Sequence, residues 1–397
     1  MNRRLFNAAG LAWSSGILQA ATHQSGSGQQ NLRPQTAPVL RVGLARAVKT
    51  LAEASRVAVP GITIEVDAGE YVADVATWER DDVSIRSIGG RVRLLANGAA
   101  AEGKGIWVVR ANRMRVEGFD FEGAAVPSRN GAGIRLENGS LHVKDCRFLR
   151  NEMGLLTNND PATVLEVENS EFAYNQRPDG HNHNLYAGRI ARLSVVGSYF
   201  HHARIGHLLK SRAAVNQIFY NRLTDEPGGT ASYELEFPNG GVAHVVGNII
   251  AQGPQTDNVH LISFGAEGYK WQRNAIYLAH NTLVNLLPRG GVFLRVSPAA
   301  SAVLALNNLL LGPGTLEAAG PGEYRNNLAA LPADFVLAAL FDYRLAAGSR
   351  LKGQAIDAGS AEGESLRPRR EYVHPRATRS LAGPAHNPGA LQSTASP

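Results

Sequence analysis

VENSEF, residues 167–172, and VVGNII, residues 245–250, are two copies of a short pattern that recurs along this chain of 397 residues. An aliphatic residue opens each copy, a small polar residue follows, and an apolar residue closes it. The full set is VEGFDF (116–121), VKDCRF (143–148), VENSEF, VVGSYF (195–200), IFYNRL (218–223), VVGNII, LAHNTL (278–283) and LALNNL (304–309). Successive closing residues lie 23 to 33 positions apart. This period, built from short strand-like segments, predicts a β-solenoid with one turn per repeat.

The position two residues before the closing residue carries small side chains from the second copy onward. These residues are Cys146, Ser170, Ser198, Asn221, Asn248, Asn281 and Asn307. Small polar side chains at one place in successive turns can form a hydrogen-bonded ladder along the solenoid axis. Cys146 is the only cysteine, so an internal disulfide is excluded, and the ladder explains this residue without redox chemistry.

The chain before the repeats predicts a cap and a first strand. LARAVKTLAEASR, residues 44–56, spaces Leu44, Val48 and Leu51 as an amphipathic helix does. PGITIEVDAGEY, residues 60–71, then alternates apolar and polar residues as a strand does.

Composition and charge restrict the class of partner. The formal charge is +6 with a pI near 9.5, which favours an anionic partner. Lys and Arg are dispersed and no nucleic-acid-binding module is present, so nucleic acid is not expected. No stretch of about 20 apolar residues predicts a membrane span, and we expect a monomer. Residues 1–21 resemble a secretory signal and residues 22–38 a flexible leader, which predicts a periplasmic or secreted protein.

PGITIEVDAGEY, the repeats and the Asn column together resemble the pectate-lyase-like right-handed parallel β-helix superfamily. FDYRLAAGSRLKGQAIDAG, residues 341–359, resembles the segment that closes many bacterial β-helix proteins. The resemblance implies an all-β fold, and the helix predicted at residues 44–56 would cap it at the N-terminus. The resemblance places the right-handed parallel β-helix at residues 39–330 and a closing segment packed on it at residues 331–397.

Polar side chains gather in the strands that precede three of the repeats, HNLYAGR (183–189), HLLKSR (207–212) and YELEFPNGG (233–241). Counting back from Phe200, Leu223 and Ile250 predicts which residues stack in columns. The predicted columns are Asn184–His207–Glu234, Tyr186–Leu209–Glu236 and Ala187–Lys210–Phe237. Neighbouring turns lie about 4.8 Å apart, so side chains from three turns can reach one sugar unit.

GHLLKSRAAVNQIFYNRL, residues 206–223, resembles the stretch around the catalytic Lys-Ser of the chondroitinase B and alginate lyase family. The matching residues are Lys210, Ser211, Asn216, Ile218, Asn221 and Leu223. The resemblance implies that Lys210 acts when the proton next to a uronate carboxylate is removed. The family's two calcium-binding Glu residues fall on Ala203 and Ile205, and its following-turn Arg falls near Glu236.

These residues predict an exported polysaccharide lyase that cleaves a uronate-containing polysaccharide by β-elimination. That reaction needs a neutralised carboxylate, a base and an acid. Lys210, Arg204 and Arg212 are candidates for the positive charge, and His207 and Tyr186 for the proton transfers. Asn184, His183 and Arg204 are also predicted to contact substrate, together with a loop lip of Tyr269, Lys270 and Trp271. No cofactor is required by the pattern, although Glu234 and Glu236 could balance Lys210 or hold Ca²⁺.

Three alternatives remain open from the sequence. Glu234 and Glu236, two positions apart in a strand, could place their carboxylates at a separation used by glycoside hydrolases. An epimerase or a non-catalytic polysaccharide-binding protein would use the same fold. His181, His183, His201 and His202 have no zinc-type spacing, and we assign no metal to them.

Overall fold

The computed structural model of the protein describes residues 38–177, 179–316 and 321–393. Parallel strands dominate, and the chain winds into a right-handed parallel β-helix, which confirms the predicted fold class. The predicted signal at 1–21 and, except for Pro38, the leader at 22–38 lie outside the described residues. Within the described residues, no helix has the length and apolarity needed to cross a membrane.

Each complete turn of the coil adds one strand to each of three parallel sheets. The four longest strands bend across two sheets: β2 (Thr63–Val72), β4 (Ser84–Leu95), β5 (Gly105–Glu117) and β7 (Ala132–Lys144). The first sheet adds β3 (Ala76–Trp78), β9 (Met153–Thr157), β12 (Leu185–Ala187), β15 (His207–Ser211), β18 (Tyr233–Phe237), β21 (His260–Phe264), β24 (Gly291–Val296) and β27 (Gly314–Thr315).

The other two sheets contain the repeats that predicted the fold. The second sheet adds β1 (Val39–Val42), β10 (Val164–Glu168), β13 (Arg192–Val196), β16 (Val215–Phe219), β19 (Val242–Val246), β22 (Ala275–Ala279), β25 (Ala302–Leu306) and β28 (Glu323–Arg325). The third adds β6 (Phe119–Glu122), β8 (Arg147–Leu149), β11 (Glu171–Ala173), β14 (Tyr199–His201), β17 (Arg222–Thr224), β20 (Ile249–Gln252), β23 (Thr282–Asn285), β26 (Leu309–Leu311) and β29 (Leu328–Ala330).

The N-terminal helix is shorter than the predicted 44–56. It begins at Leu51 and ends at Val57, after Thr50, whose hydroxyl accepts the backbone N–H of Glu53. Residues 44–47 form turns and bends instead, closed by backbone hydrogen bonds from Arg46 N–H to the Gly43 carbonyl at 2.8 Å and from Gly43 N–H to the Val48 carbonyl at 3.1 Å. The helix therefore caps the coil with about two turns.

The predicted polar ladder is present and runs along the corner between the second and third sheets. Each Asn side-chain oxygen accepts the backbone N–H of the preceding member, as from Asn221 to Asn248 at 2.8 Å and from Asn248 to Asn281 at 2.9 Å. The last predicted member was wrong, because Asn281 donates its N–H to Asn308 rather than Asn307. The register explains the shift, since Leu283 pairs with Leu310 and the last repeat closes one residue later than the pattern suggested.

Asn248→Ala is expected to lower the free energy of unfolding by about 2–3 kcal/mol, because a buried group left without its partner costs about 1–3 kcal/mol. Asn248 Nδ2 donates to the Ile218 carbonyl at 2.8 Å, and its Oδ1 accepts the Asn221 N–H. Denaturant unfolding of this variant beside the exposed control Asn112→Ala measures the effect. Equal stability of the two variants would contradict a stabilising ladder.

Stacked aromatic rings fill the coil beside the ladder. Phe121, Phe148, Phe172 and Phe200 lie in successive turns, with neighbouring ring centroids 5.0, 4.6 and 4.7 Å apart. Cys146 is fully buried next to this stack, and burial raises the pKa of its thiol to about 12. Its surroundings are those of a core residue rather than a reactive thiol.

The segment after the coil returns along it. It contains two short 3₁₀ helices, Pro332–Asp334 and Ala338–Leu340, and the paired strands β30 (Phe335–Leu337), β31 (Asp342–Leu345), β32 (Ser360–Ala361), β33 (Glu364–Ser365), β34 (Arg370–Val373) and β35 (Ala377–Ser380). Phe335, Tyr343 and Leu351 pack on residues of the third sheet, and Leu366 packs against the second. The closing segment therefore packs on the second and third sheets.

Candidate functional site

The polar side chains of the first sheet form two columns on its outer surface. Pairing of β12, β15, β18 and β21 aligns Tyr186 with Lys210, Lys210 with Glu236, and Glu236 with Ser263. The neighbouring column contains His183, His207, Tyr233 and His260: His207 pairs with Tyr233, and its ring centroid lies 4.6 Å from that of His183.

The predicted columns were therefore wrong by one residue in the middle strand. The corner between β15 and β16 spans residues 212–214, whereas the corners before and after it span 188–191 and 238–241. One residue fewer in that corner moves His207 from the predicted row of Asn184 and Glu234 to that of His183 and Tyr233. The same shift brings Lys210 directly beside Tyr186 and Glu236.

Lys210, His207 and Glu236 meet at one carboxylate oxygen. Glu236 Oε2 lies 3.0 Å from Lys210 Nζ and 3.1 Å from His207 Nδ1. All three side chains are nearly covered, with residue exposures of 9%, 8% and 3% for Lys210, His207 and Glu236. They form the floor of the site rather than a freely solvated surface.

Glu267 joins this floor from the loop after β21. Its Oε1 accepts a hydrogen bond from Lys210 Nζ at 3.0 Å, and its Oε2 lies 2.7 Å from Arg212 Nη2. Arg212 also donates from Nη1 to Asn239 Oδ1 at 2.7 Å and from Nε to the Tyr186 hydroxyl at 2.8 Å. We refer to Tyr186, His207, Lys210, Arg212, Glu236 and Glu267 as the reactive cluster.

Burial and contacts set the charges of the reactive cluster. Burial lowers the pKa of His207, although Glu236 opposes this effect, so the imidazole is neutral near pH 7. Burial alone would raise the pKa of Glu236, but His207 and Lys210 outweigh it and lower that pKa. Lys210 and Arg212 likewise lower the pKa of Glu267 against the effect of its burial. Two carboxylates therefore face Lys210 and Arg212.

His183 supports the cluster from the next turn. Burial and the nearby His207 hold the pKa of His183 well below its usual range. Its Nδ1 accepts the backbone N–H of His207 at 3.0 Å, and its ring stacks on Tyr186 with centroids 5.6 Å apart. His183 thus fixes the positions of both proton-transfer candidates.

Two predicted site residues lie inside the coil instead of on its surface. Asn184 is fully buried, accepts a hydrogen bond from Asn175 Nδ2 at 2.8 Å, and cannot contact a ligand outside. Glu234 is also fully buried, and within the described part of the chain neither of its carboxylate oxygens has a hydrogen-bond partner. Glu234 takes the place that Leu208 and Leu261 fill in the neighbouring turns, so it does not share a surface with Glu236.

The other predicted contacts are divided between the site and its surroundings. Tyr269 donates its hydroxyl to the Ser297 carbonyl at 2.7 Å and packs on the core, so it supports the loop. Trp271 donates its indole N–H to the Arg212 carbonyl at 3.1 Å and is partly exposed, and Lys270 is exposed. Arg204 is exposed in the turn before β15, and no hydrogen bond or ion pair among the described residues joins it to the cluster.

Sequence reasoning missed Glu267 and Asn239. A signal for Glu267 was present, since GAEG, residues 265–268, falls in the longest interval between repeats and places one carboxylate between two glycines. Gly265 and Gly268 both have positive φ, at 82° and 81°, which lets the loop fold back over Lys210.

The described residues do not fit a metal site. Among residues 38–177, 179–316 and 321–393, no three or more His, Cys, Asp or Glu side chains are grouped so that they could hold an ion. Glu236 is occupied by His207 and Lys210, and Glu234 is inside the core. We therefore assign no reaction step to Ca²⁺.

Comparison with solved structures shows the fold of this chain. A crystal structure of pectate lyase Pel9A is similar over 87% of this chain and 91% of its own, with a TM-score of 0.53 and 11% sequence identity. The Dettilon tailspike protein gp208 is similar over 67% of this chain and 62% of its own, with a TM-score of 0.36 and 13% identity. No protein-family model and no curated protein matches the sequence. The chain thus has a pectate-lyase-like parallel β-helix fold.

Proposed function

We propose that the protein is a polysaccharide lyase that cleaves a uronate-containing polysaccharide by β-elimination. The observation that carries this proposal is the Glu267 carboxylate, held between Lys210 Nζ at 3.0 Å and Arg212 Nη2 at 2.7 Å. A uronate substrate needs this kind of contact, because an ammonium and a guanidinium together neutralise a carboxylate. In our proposal, Glu267 occupies the place of the substrate's carboxylate.

The charges of the reactive cluster support an acidic ligand. With Glu267 in place, Lys210 and Arg212 are balanced by Glu236 and Glu267. Glu267 is the most accessible of the four, with 45% of its side chain exposed, against 11%, 17% and 4% for Lys210, Arg212 and Glu236. A substrate carboxylate can therefore replace it without leaving a buried charge unpaired, which would cost several kcal/mol.

The cluster contains the remaining groups that elimination requires. Neutralising the carboxylate acidifies the proton on C5, and neutral His207 removes it. Glu236 Oε2 lies 3.1 Å from His207 Nδ1, and a carboxylate this close favours the tautomer that has its N–H at Nδ1, which leaves Nε2 to take the proton. Tyr186 gives its hydroxyl proton to O4 as the C4–O4 bond breaks and the C4–C5 double bond forms. Arg212, already donating to the Tyr186 oxygen, stabilises the resulting phenolate until solvent returns a proton to Tyr186 and takes one from His207.

The fold and the predicted export agree with this assignment. The pectate lyase that shares the fold is itself a lyase, and the export predicted from residues 1–21 would bring the protein to extracellular polysaccharide. The hydrolase alternative depended on Glu234 and Glu236 facing the same substrate, and Glu234 is inside the core. A non-catalytic binding protein differs from a lyase in one measurable respect: it binds the polysaccharide without forming product.

A screen of acidic polysaccharides, each beside its carboxyl-reduced form, tests the reaction class. We expect absorbance from unsaturated uronate ends with at least one acidic polymer and none with the reduced polymers, because without the carboxylate the C5 proton is too weakly acidic. Saturated products with new reducing ends would indicate a hydrolase. Binding without any product would indicate a non-catalytic protein.

Glu267→Gln is expected to lower KM for the acidic substrate two- to fivefold and to change kcat less than twofold. The variant removes a competing carboxylate, and partly exposed ion pairs contribute about 0.2–1 kcal/mol each. Steady-state kinetics measure the effect, with Glu166→Gln, which loses an ion pair to Arg192 on the second sheet, as the matched control. A large fall in kcat would show instead that Glu267 takes part in the reaction.

A further inference from the structure

A small cleft lies beside the reactive cluster, and we call it the lateral cleft. Asn159, Pro161, Arg189, Lys270 and Trp271 line it, and its volume is about 290 Å³. This volume lies at the lower end of the range of about 300–1,000 Å³ for small-molecule pockets, which limits the lateral cleft to a ligand of about one sugar unit.

Trp271 connects the lateral cleft to the reactive cluster. Its indole N–H donates to the backbone carbonyl of Arg212 at 3.1 Å, and the side chain of the same Arg212 donates to the Tyr186 hydroxyl. Among the described residues, Trp271 is the only tryptophan that is not buried, since Trp78 and Trp107 lie in the core. A partly exposed indole held by one hydrogen bond offers a flat apolar surface for a sugar ring.

Two cations that form no ion pair with any described carboxylate flank this indole. Arg189 and Lys270 are both exposed, and neither forms an ion pair with a carboxylate in the described part of the chain. The nearby acids are engaged elsewhere: Asp160 accepts hydrogen bonds from the Ala162 N–H and the Thr163 hydroxyl, and Glu267 binds Lys210 and Arg212.

The turn that carries Arg189 is held in place. The Arg189 backbone N–H donates to Asn159 Oδ1 at 2.8 Å, and a Cβ at Gly188 would come within 2.4 Å of the Asn158 carbonyl oxygen. Only glycine permits this close approach of the two turns. The backbone of Arg189 is therefore fixed at the edge of the cleft while its guanidinium stays available.

We propose that the lateral cleft is a second sugar-binding subsite, specific for an acidic unit next to the one held at Lys210 and Arg212. The Trp271 indole stacks on the sugar ring, and Arg189 and Lys270 bind its carboxylate or sulfate. The proposal rests on the proposed function, and it specifies the substrate class: a polymer with acidic groups on neighbouring units, rather than one in which they are isolated.

Ligand binding to the double variant R189Q/K270Q tests the subsite. The probes are trisaccharides of galacturonate, glucuronate and mannuronate, their carboxyl-reduced forms, and a sulfated neutral trisaccharide. Quenching of tryptophan fluorescence, with Trp271→Phe as the blank for the other tryptophans, gives Kd from binding rather than from turnover. Each lost charge-assisted hydrogen bond weakens binding roughly tenfold, so we expect Kd for the best acidic probe to rise at least tenfold. Arg115→Gln removes one exposed cation from the second sheet and is the matched control.

The outcomes separate the subsite from the reaction. A rise in Kd for acidic probes in R189Q/K270Q, with unchanged Kd for reduced probes, supports the subsite whether or not unsaturated product forms. The better-bound acidic probe decides between carboxylate and sulfate. Unchanged Kd for every acidic probe in R189Q/K270Q overturns the subsite, even if wild-type protein is a lyase. Failure of the wild-type protein to bind any acidic probe also overturns it.

Discussion

His207→Ala is expected to lower kcat for the acidic polysaccharide about a thousandfold, since a positioned general base contributes about 10²- to 10⁴-fold. His207 is the neutral imidazole of the reactive cluster, and Glu236 lies 3.1 Å from its Nδ1. Rates of unsaturated-uronate formation measure the loss. His142→Ala, which removes a histidine from the second sheet, should leave kcat within about twofold.

Burial of His207 requires a second variant. Alanine would leave a small cavity on the floor of the site and would remove one of the groups that contact the Glu236 carboxylate. Both changes can lower the stability of the protein. His207→Gln keeps a donor toward Glu236 and nearly fills the space, but it has no basic nitrogen. If His207→Gln is as stable as the wild type and still catalyses at full rate, His207 is not the base.

The sequence predicted the coil because its signals are local. Each repeat closes with a buried residue, and from the second copy onward a small side chain lies two positions before it, so the strands and most of the Asn ladder follow from spacing alone. The exceptions arose where a segment changed length. The corner at residues 212–214 is one residue short, and this moved the predicted columns around His207 and Lys210.

The candidate site was less predictable because it depends on side-chain direction and on a loop. Strand alternation implied that Glu234 and Glu236 share one side, but both Leu208 and Leu209 in the preceding turn point into the core, and Glu234 follows Leu208 inward. Glu267 reaches Lys210 from a loop 57 residues away in sequence, a contact that no spacing rule provides. The sequence predicted Arg212 as a source of positive charge. Its hydrogen bond to the Tyr186 hydroxyl depends on the folded structure and could not be predicted from spacing.

Glu234→Leu is expected to raise the free energy of unfolding by about 4 kcal/mol at pH 8. Both carboxylate oxygens of Glu234 are buried without hydrogen-bond partners among residues 38–177, 179–316 and 321–393, and such groups cost about 1–3 kcal/mol. A leucine in the same place would add about 1.5–3 kcal/mol of apolar burial. Leu208 and Leu261 already occupy the equivalent positions of the two neighbouring turns, so the side chain has a matching environment.

The gain should depend on pH in a defined direction. Burial, with the charge of Asp225, holds the pKa of Glu234 well above its usual range, so the folded protein keeps this carboxyl protonated where the unfolded chain releases the proton. The wild type therefore loses stability as pH rises above about 4.3, the ordinary Glu value. Asp225, whose pKa burial raises to about 7, adds a loss in the same direction between about 4 and 7.

Denaturant unfolding from pH 4 to pH 9 separates these contributions. Glu234→Leu should be more stable than the wild type at every pH, with an advantage that widens as pH rises, while the pH dependence that comes from Asp225 remains. Glu234→Gln is the matched control, because it removes the titration but keeps a buried polar group, so it should flatten the pH dependence with a smaller gain. A Glu234→Leu protein less stable than the wild type at pH 8 would mean that the buried carboxylate has a stabilising partner. In that case, the buried polar groups at Glu234 and Asp225 would form an interaction that stabilises the coil, instead of lowering its stability.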